Sequence, residues 1–166
     1  MLSVKVGNAP ASLRASVLAV KAANSDIRRT INQRMRATMN PVWRQRVLAG
    51  AHGGMEARML TPGTRIAAGN PPALVAASGN RKIGRLTPNK HAAGWEFGAS
   101  DAVRRQSSGR GPNKTYSRHV MRHLPPRNRK GRVVYPAAAE VLPRVASFWA
   151  QSAIKTFLDA VEEGQG

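Results

Sequence analysis

The chain has 166 residues, with 27 Lys and Arg against 8 Asp and Glu, a formal net charge of +19 and no Cys. The missing Cys excludes disulfide scaffolds, Cys-based zinc sites and thiol catalysis. Apolar residues make up 42%, but 26 of them are Ala, and Leu, Ile, Val and Phe together number only 32, which argues against a thick core in a solitary monomer of this charge.

The length matches one domain, residues 1–166. No apolar run approaches a membrane span. Met1–Pro10 lacks the charged and apolar regions of a signal peptide, so the protein is expected to stay in the compartment where it is made. Leu13, Val17, Val20, Ile27, Ile31 and Met35 then share one helical face. They predict one long helix from Pro10 to Met39, with Pro10 in its first turn and no break at Asn24–Asp26. Asn40-Pro41 predicts its end, because the residue before a proline disfavours the helical region. Val42–Ala51 reads as a short second helix, stopped near Gly53-Gly54.

From Met55 to Gly98 the pattern predicts short strands at Arg58–Leu60, Thr64–Ala68, Leu74–Ala77 and Ala93–Phe97, separated by Gly- and Pro-containing turns. Thr64–Ala68 and Leu74–Ala77 form a natural hairpin across Gly69-Asn70-Pro71-Pro72. The uncharged Leu-Val-Ala-Ala strand is expected to be buried on both faces. Residues 99–114 have the composition of a solvated loop, Thr115–Leu124 reads as a strand or an irregular arm, and Pro125–Gly131 is a second basic loop. A C-terminal helix is predicted from Pro136 to Glu163. Val141, Val145, Phe148 and Ser152 lie on one of its faces, and Ile154, Phe157 and Val161 on another. Either the helix touches two different bodies, or Pro143 kinks it and turns its second half.

No catalytic or cofactor motif is recognisable. Gly109-Arg110-Gly111-Pro112-Asn113-Lys114-Thr115 has the composition of a phosphate loop but not its spacing, and Pro112 removes a needed donor. His119 and His123 lack a third metal ligand and are flanked by Arg118 and Arg122. The eight acids show no pairing suited to acid–base work. The chain is expected to be neither an enzyme nor a metal or cofactor carrier. The physical signal is the charge: residues 81–132 hold 14 Lys and Arg and 2 acids. Arg104, Arg105, Arg110, Lys114, Arg118, Arg122, Arg127, Arg129, Lys130 and Arg132 are the candidate contacts to nucleic-acid phosphates or to an acidic partner. Aromatic residues are only 5%, so base stacking is not supported. A free basic nucleic-acid-binding protein, ribosomal or nucleoid-like, is the competing reading.

Trp95-Glu96-Phe97-Gly98-Ala99, read as a strand end with a Gly turn, and Tyr135-Pro136-Ala137-Ala138, opening the last helix, carry a resemblance. With the long N-terminal helix and the β region between them, they resemble the neck and tail-completion proteins of long-tailed, siphovirus-type bacteriophages. Gly69-Asn70-Pro71-Pro72-Ala73-Leu74-Val75-Ala76 looks like versions from phages of actinobacteria. The resemblance implies an α+β fold, in which the N- and C-terminal helices pack on a small, mainly antiparallel sheet with extended basic loops. It implies a structural ring subunit, a hexamer, at the joint of head and tail. Head-connector and tail-tube proteins would be its neighbours, and genomic DNA would pass through the ring; capping of the tail tube as a terminator is the related alternative. Its place would be the virion neck, after assembly in the host cytoplasm. Glu96, Phe97, Ile154, Phe157 and Val161 are then the expected subunit contacts, and Gly98 and Pro136 the structural turn residues. The arms Arg104–Lys114 and Arg127–Arg132 are expected to order only in the assembly.

Overall fold

The computed structural model describes residues 1–5, 11–23, 25–99, 103–107, 115–119 and 124–163, the strands 103–107 and 115–119 by their backbone alone. The chain is α+β. In order it forms β1 (Leu2–Lys5), α1 (Ala11–Ala22), α2 (Ser25–Gly50), α3 (Gly54–Leu60), β2 (Arg65–Ala67), β3 (Ala73–Ala76), α4 (Pro88–Phe97), β4 (Val103–Ser107), β5 (Thr115–His119) and α5 (Val134–Glu163).

The N-terminal helical region differs from expectation in where it breaks. It stops after Ala22 and restarts at Ser25, because Ser25-Asp26 is a helix-start signature with an acid in the first turn. Both helices nonetheless keep the same side inward, with Val20 and Ile31 buried. Pro41, expected to end a helix, instead lies inside α2. The buried stripe Ile31, Met35, Met39, Trp43 and Val47 runs straight through it at four-residue spacing. Trp43 is fully buried, and burial of such a ring contributes about 4–6 kcal/mol. That exceeds the roughly 3 kcal/mol cost of an interior proline.

The three-stranded sheet has the order β1-β3-β2, antiparallel throughout. Leu2 faces Ala76 and Lys5 faces Ala73; on the other side Arg65 faces Val75 and Ala67 faces Ala73. The predicted hairpin is therefore present, and β1 is an additional strand. It makes β3 the central one, which is why Leu74, Val75, Ala76 and Ala77 are all buried. Helix α2 is tied to the sheet by two long-range hydrogen bonds. Trp43 Nε1 donates to the Val75 carbonyl (3.0 Å), and the Ile66 N–H donates to Asn40 Oδ1 (2.7 Å).

Two predicted strands are helices. Arg58–Leu60 belongs to α3, where Glu56, Met59 and Leu60 are buried at helical spacing. Ala93–Phe97 belongs to α4, where Ala92 and Glu96 are buried four apart and Pro88 occupies the first turn. Helix α5 begins two residues before the expected Pro136 and continues past Pro143. Its inward residues Ala137, Ala138, Val141, Val145, Trp149, Ser152, Ala153 and Thr156 form one continuous stripe. The core face therefore does not switch sides at Pro143. Arg34 meets Thr156 and Asp159, while Arg46 meets Glu140, so α2 and α5 run antiparallel along each other.

Candidate functional site at the root of a basic arm

Gly98 ends α4 with φ 69°, in a region that side chains disfavour. A β-carbon there would fall on the carbonyls of Pro125 and Pro126. Space is short because the chain leaves and returns at this point. The Ala99 N–H donates to the Pro125 carbonyl (3.1 Å), the Asn128 N–H donates to the Phe97 carbonyl (2.7 Å), and Ala99 bridges Pro126. Residues 97–99 and 125–128 thus form a closed root, and the excursion between them carries six Lys and Arg and one acid. Asn128 shapes the return: its Oδ1 accepts from the Lys130 N–H (3.0 Å) and its Nδ2 donates to the Gly131 carbonyl (2.9 Å), as turn-forming Asn side chains do.

Below the root lies Glu96, the turn of α4 before Gly98. It was expected on a strand, facing a neighbouring subunit. Instead it is fully buried inside its own chain. Its carboxylate accepts hydrogen bonds from the backbone N–H groups of Arg132 (3.2 Å), Val133 (3.2 Å), Val134 (3.0 Å) and Tyr135 (2.9 Å). Val134 and Tyr135 are donors that the first turn of α5 leaves unsatisfied, and Arg132 and Val133 lead directly into it; a negative group at a helix N-terminus also complements the helix dipole. Gly131, at φ 81°, lets the loop pass: a β-carbon there would strike Glu96 Oε1 and Tyr135. The Phe97 ring packs on Tyr135 at 5.2 Å between centroids, closing the anchor from outside. Pro136 sits in the first turn of α5, as expected of a residue with no N–H to place.

A second buried acid stands nearby. Glu56 accepts the His52 N–H (2.9 Å) and lies 3.5 Å from Arg132 Nε. Arg132 is half-buried with its Nε beside Glu56, so of the predicted basic contacts it is less exposed than its loop neighbours. Arg127, Arg129 and Lys130 are exposed on the return loop.

The arm itself contains a two-stranded antiparallel ladder, β4 with β5, separate from the main sheet. Its register sets Arg104 opposite Arg118, Arg105 opposite Ser117 and Gln106 opposite Tyr116. The expectation of an unstructured stretch at 99–114 is therefore corrected at Val103–Ser107, because that stretch has a partner strand at Thr115–His119. Arg110, Lys114 and Arg122, like His123, lie outside the described residues.

At the far end of α5, Ile154, Leu158 and Val161 are 56–58% exposed. They form a stripe at four- and three-residue spacing on the side away from the core. Phe157 is half-buried against the core and does not belong to this stripe. Sequence reading missed Leu158, although its spacing from Ile154 gave the signal. It missed the role of Glu96 because the groups it binds are backbone N–H donors, which carry no side-chain signature.

A groove of about 350 Å³ lies between α2 and α5, over the exposed Arg46–Glu140 ion pair. The hydrogen bond and charge of Glu140 raise the Arg46 pKa above its ordinary value. Among the described residues no group of three or more His, Asp or Glu is placed to hold a metal, and no helix is long and apolar enough to cross a membrane. No protein-family model matches the chain, and no curated protein or solved structure matches it either.

Proposed function

We propose that this protein is a structural ring subunit of a phage neck, joining head connector to tail tube, with DNA passing through the ring. The observation that carries the reading is the arm. A +5 excursion leaves the body through a root closed by backbone hydrogen bonds and fastened to α5 by a buried carboxylate. A mount of this kind holds a basic element at a fixed position, which suits contact with a phosphate backbone or an acidic neighbour rather than base readout. The uncovered apolar stripe at the other end of α5 supports the same reading, since exposed apolar surface marks association sites. Capping the tail tube as a terminator would use the same features.

The test is electron microscopy of the purified protein, alone and with tail ends. Closed rings, or rings formed on tails, support the proposal. A monomer that neither assembles nor joins particles overturns it. The competing reading, a free basic nucleic-acid-binding protein, draws on the same arm. It predicts a monomer that binds duplex DNA or RNA away from any particle, with a steep salt dependence.

A further inference from the structure

Large apolar side chains are exposed at both ends of α5, and the charge at the two ends differs. At the C-terminal end, beside Ile154, Leu158 and Val161, Thr156–Glu163 holds three of the chain's eight acids and no cation. Asp159 is engaged by Arg34, Glu162 is exposed, and Glu163 closes the helix. The last turn has no basic residue to offset the negative end of the helix dipole. Lys155 lies within the span of the stripe, between Ile154 and Leu158, and Arg34 of the antiparallel α2 reaches Asp159 from the side.

At the N-terminal end, Tyr135 is 36% and Met55 37% exposed, beside the exposed Arg127, Arg129 and Lys130. The Arg132–Glu56 pair and the packing of Gly131 on Tyr135 bring these segments together. From Tyr135 to Leu158 the helix spans about 35 Å at ~1.5 Å per residue. The two patches therefore cannot meet within one chain.

We propose that copies of this chain join head to tail through these two patches. The acidic, apolar C-terminal end of α5 in one copy seats on the basic, apolar-bearing end formed by Met55, Arg127, Arg129, Lys130 and Tyr135 of the next. The contact is heterologous, because it uses two different surfaces, and a heterologous contact closes into a ring or runs on as a filament. Opposite charges set its direction, and like charges oppose acid-to-acid or base-to-base pairing. This inference rests on the ring-subunit reading and specifies its contact.

The absence of Cys makes the test direct. Leu158→Cys and Tyr135→Cys, both at exposed positions, are made as separate full-length variants and treated with a short bismaleimide cross-linker. The mixture is expected to give a product of twice the monomer mass, and neither variant alone should give one. A cross-linked dimer from Leu158→Cys alone would show that the stripes pack on each other and would overturn the proposal. So would the absence of product from the mixture, with unchanged circular dichroism showing both variants folded. A second measurement reverses charge. Glu162→Lys with Glu163→Lys, and Arg127→Glu with Arg129→Glu, should each weaken self-association about tenfold or more at low salt. Mixing the two double variants should restore it. Rings seen by microscopy without the mixed cross-link would leave the neck reading standing and remove this contact. The mixed cross-link with open chains that never close or join tails would keep the contact and remove the neck reading.

Discussion

Glu96 is the residue at which a single substitution should cost most. Its carboxylate takes four backbone N–H groups in a buried site. In Glu96→Gln one acceptor oxygen becomes a donor aimed at other donors. Loss of charge-assisted hydrogen bonds in a buried site predicts a fall in stability of about 2–4 kcal/mol, read from the midpoint of urea unfolding; an unchanged midpoint would refute the anchoring role. Gly98→Ala should cost about 1–3 kcal/mol from backbone strain, with the clash against Pro126 added. Arg127→Ala and Arg129→Ala, on the exposed return loop, should stay within about 0.5 kcal/mol of the parent. Gly98 was legible in the sequence, since a glycine after an aromatic segment signals an awkward backbone. Glu96 was legible only as an acid of special position. Its donors lie 36 to 39 residues further on, and any sequence supplies backbone N–H groups.

At the scale of elements, the two prolines inside helices show where local preference yields to burial. Pro41 is carried by a buried stripe on either side of it, and Pro143 is exposed in the first third of α5. Pro143→Ala should raise stability by about 1–2 kcal/mol, because it restores a helical hydrogen bond at a solvent-facing position; a thermal melt checks the direction. Leu74→Ala in the central strand should cost about 2–4 kcal/mol, since both faces of β3 are covered. The long helices and the β2–β3 hairpin were readable because their periodicities extend over many residues or are bracketed by turn residues. Helices α3 and α4 were not. Each is ten residues or fewer, and Trp95 and Phe97 favour strands when tertiary packing is left out. Strand β1 has only four residues, and its pairing with β3, some seventy positions away, leaves no local trace.

At the scale of the whole molecule, the shortage of large apolar residues and the +19 charge have one joint explanation. The core is real but thin, gathered between α2, α5 and the small sheet. Part of the apolar surface left over lies at the two ends of α5, with acids at one end and cations at the other, and Leu18 of α1 and Leu48 of α2 are exposed as well. Such a molecule is expected to associate directionally, and raising the salt should weaken that association. The C-terminal two-sidedness was readable as two phases on one helical wheel. Which phase served the core was not, because Ser152 and Thr156 are buried there while Ile154 and Leu158 are exposed. The most direct measurement is electron microscopy of the purified full-length protein at low salt, with two-dimensional averages of single particles. Closed rings of one defined symmetry with an open centre are the predicted result. Monomers or irregular aggregates that remain so when tail ends are added would contradict the proposal.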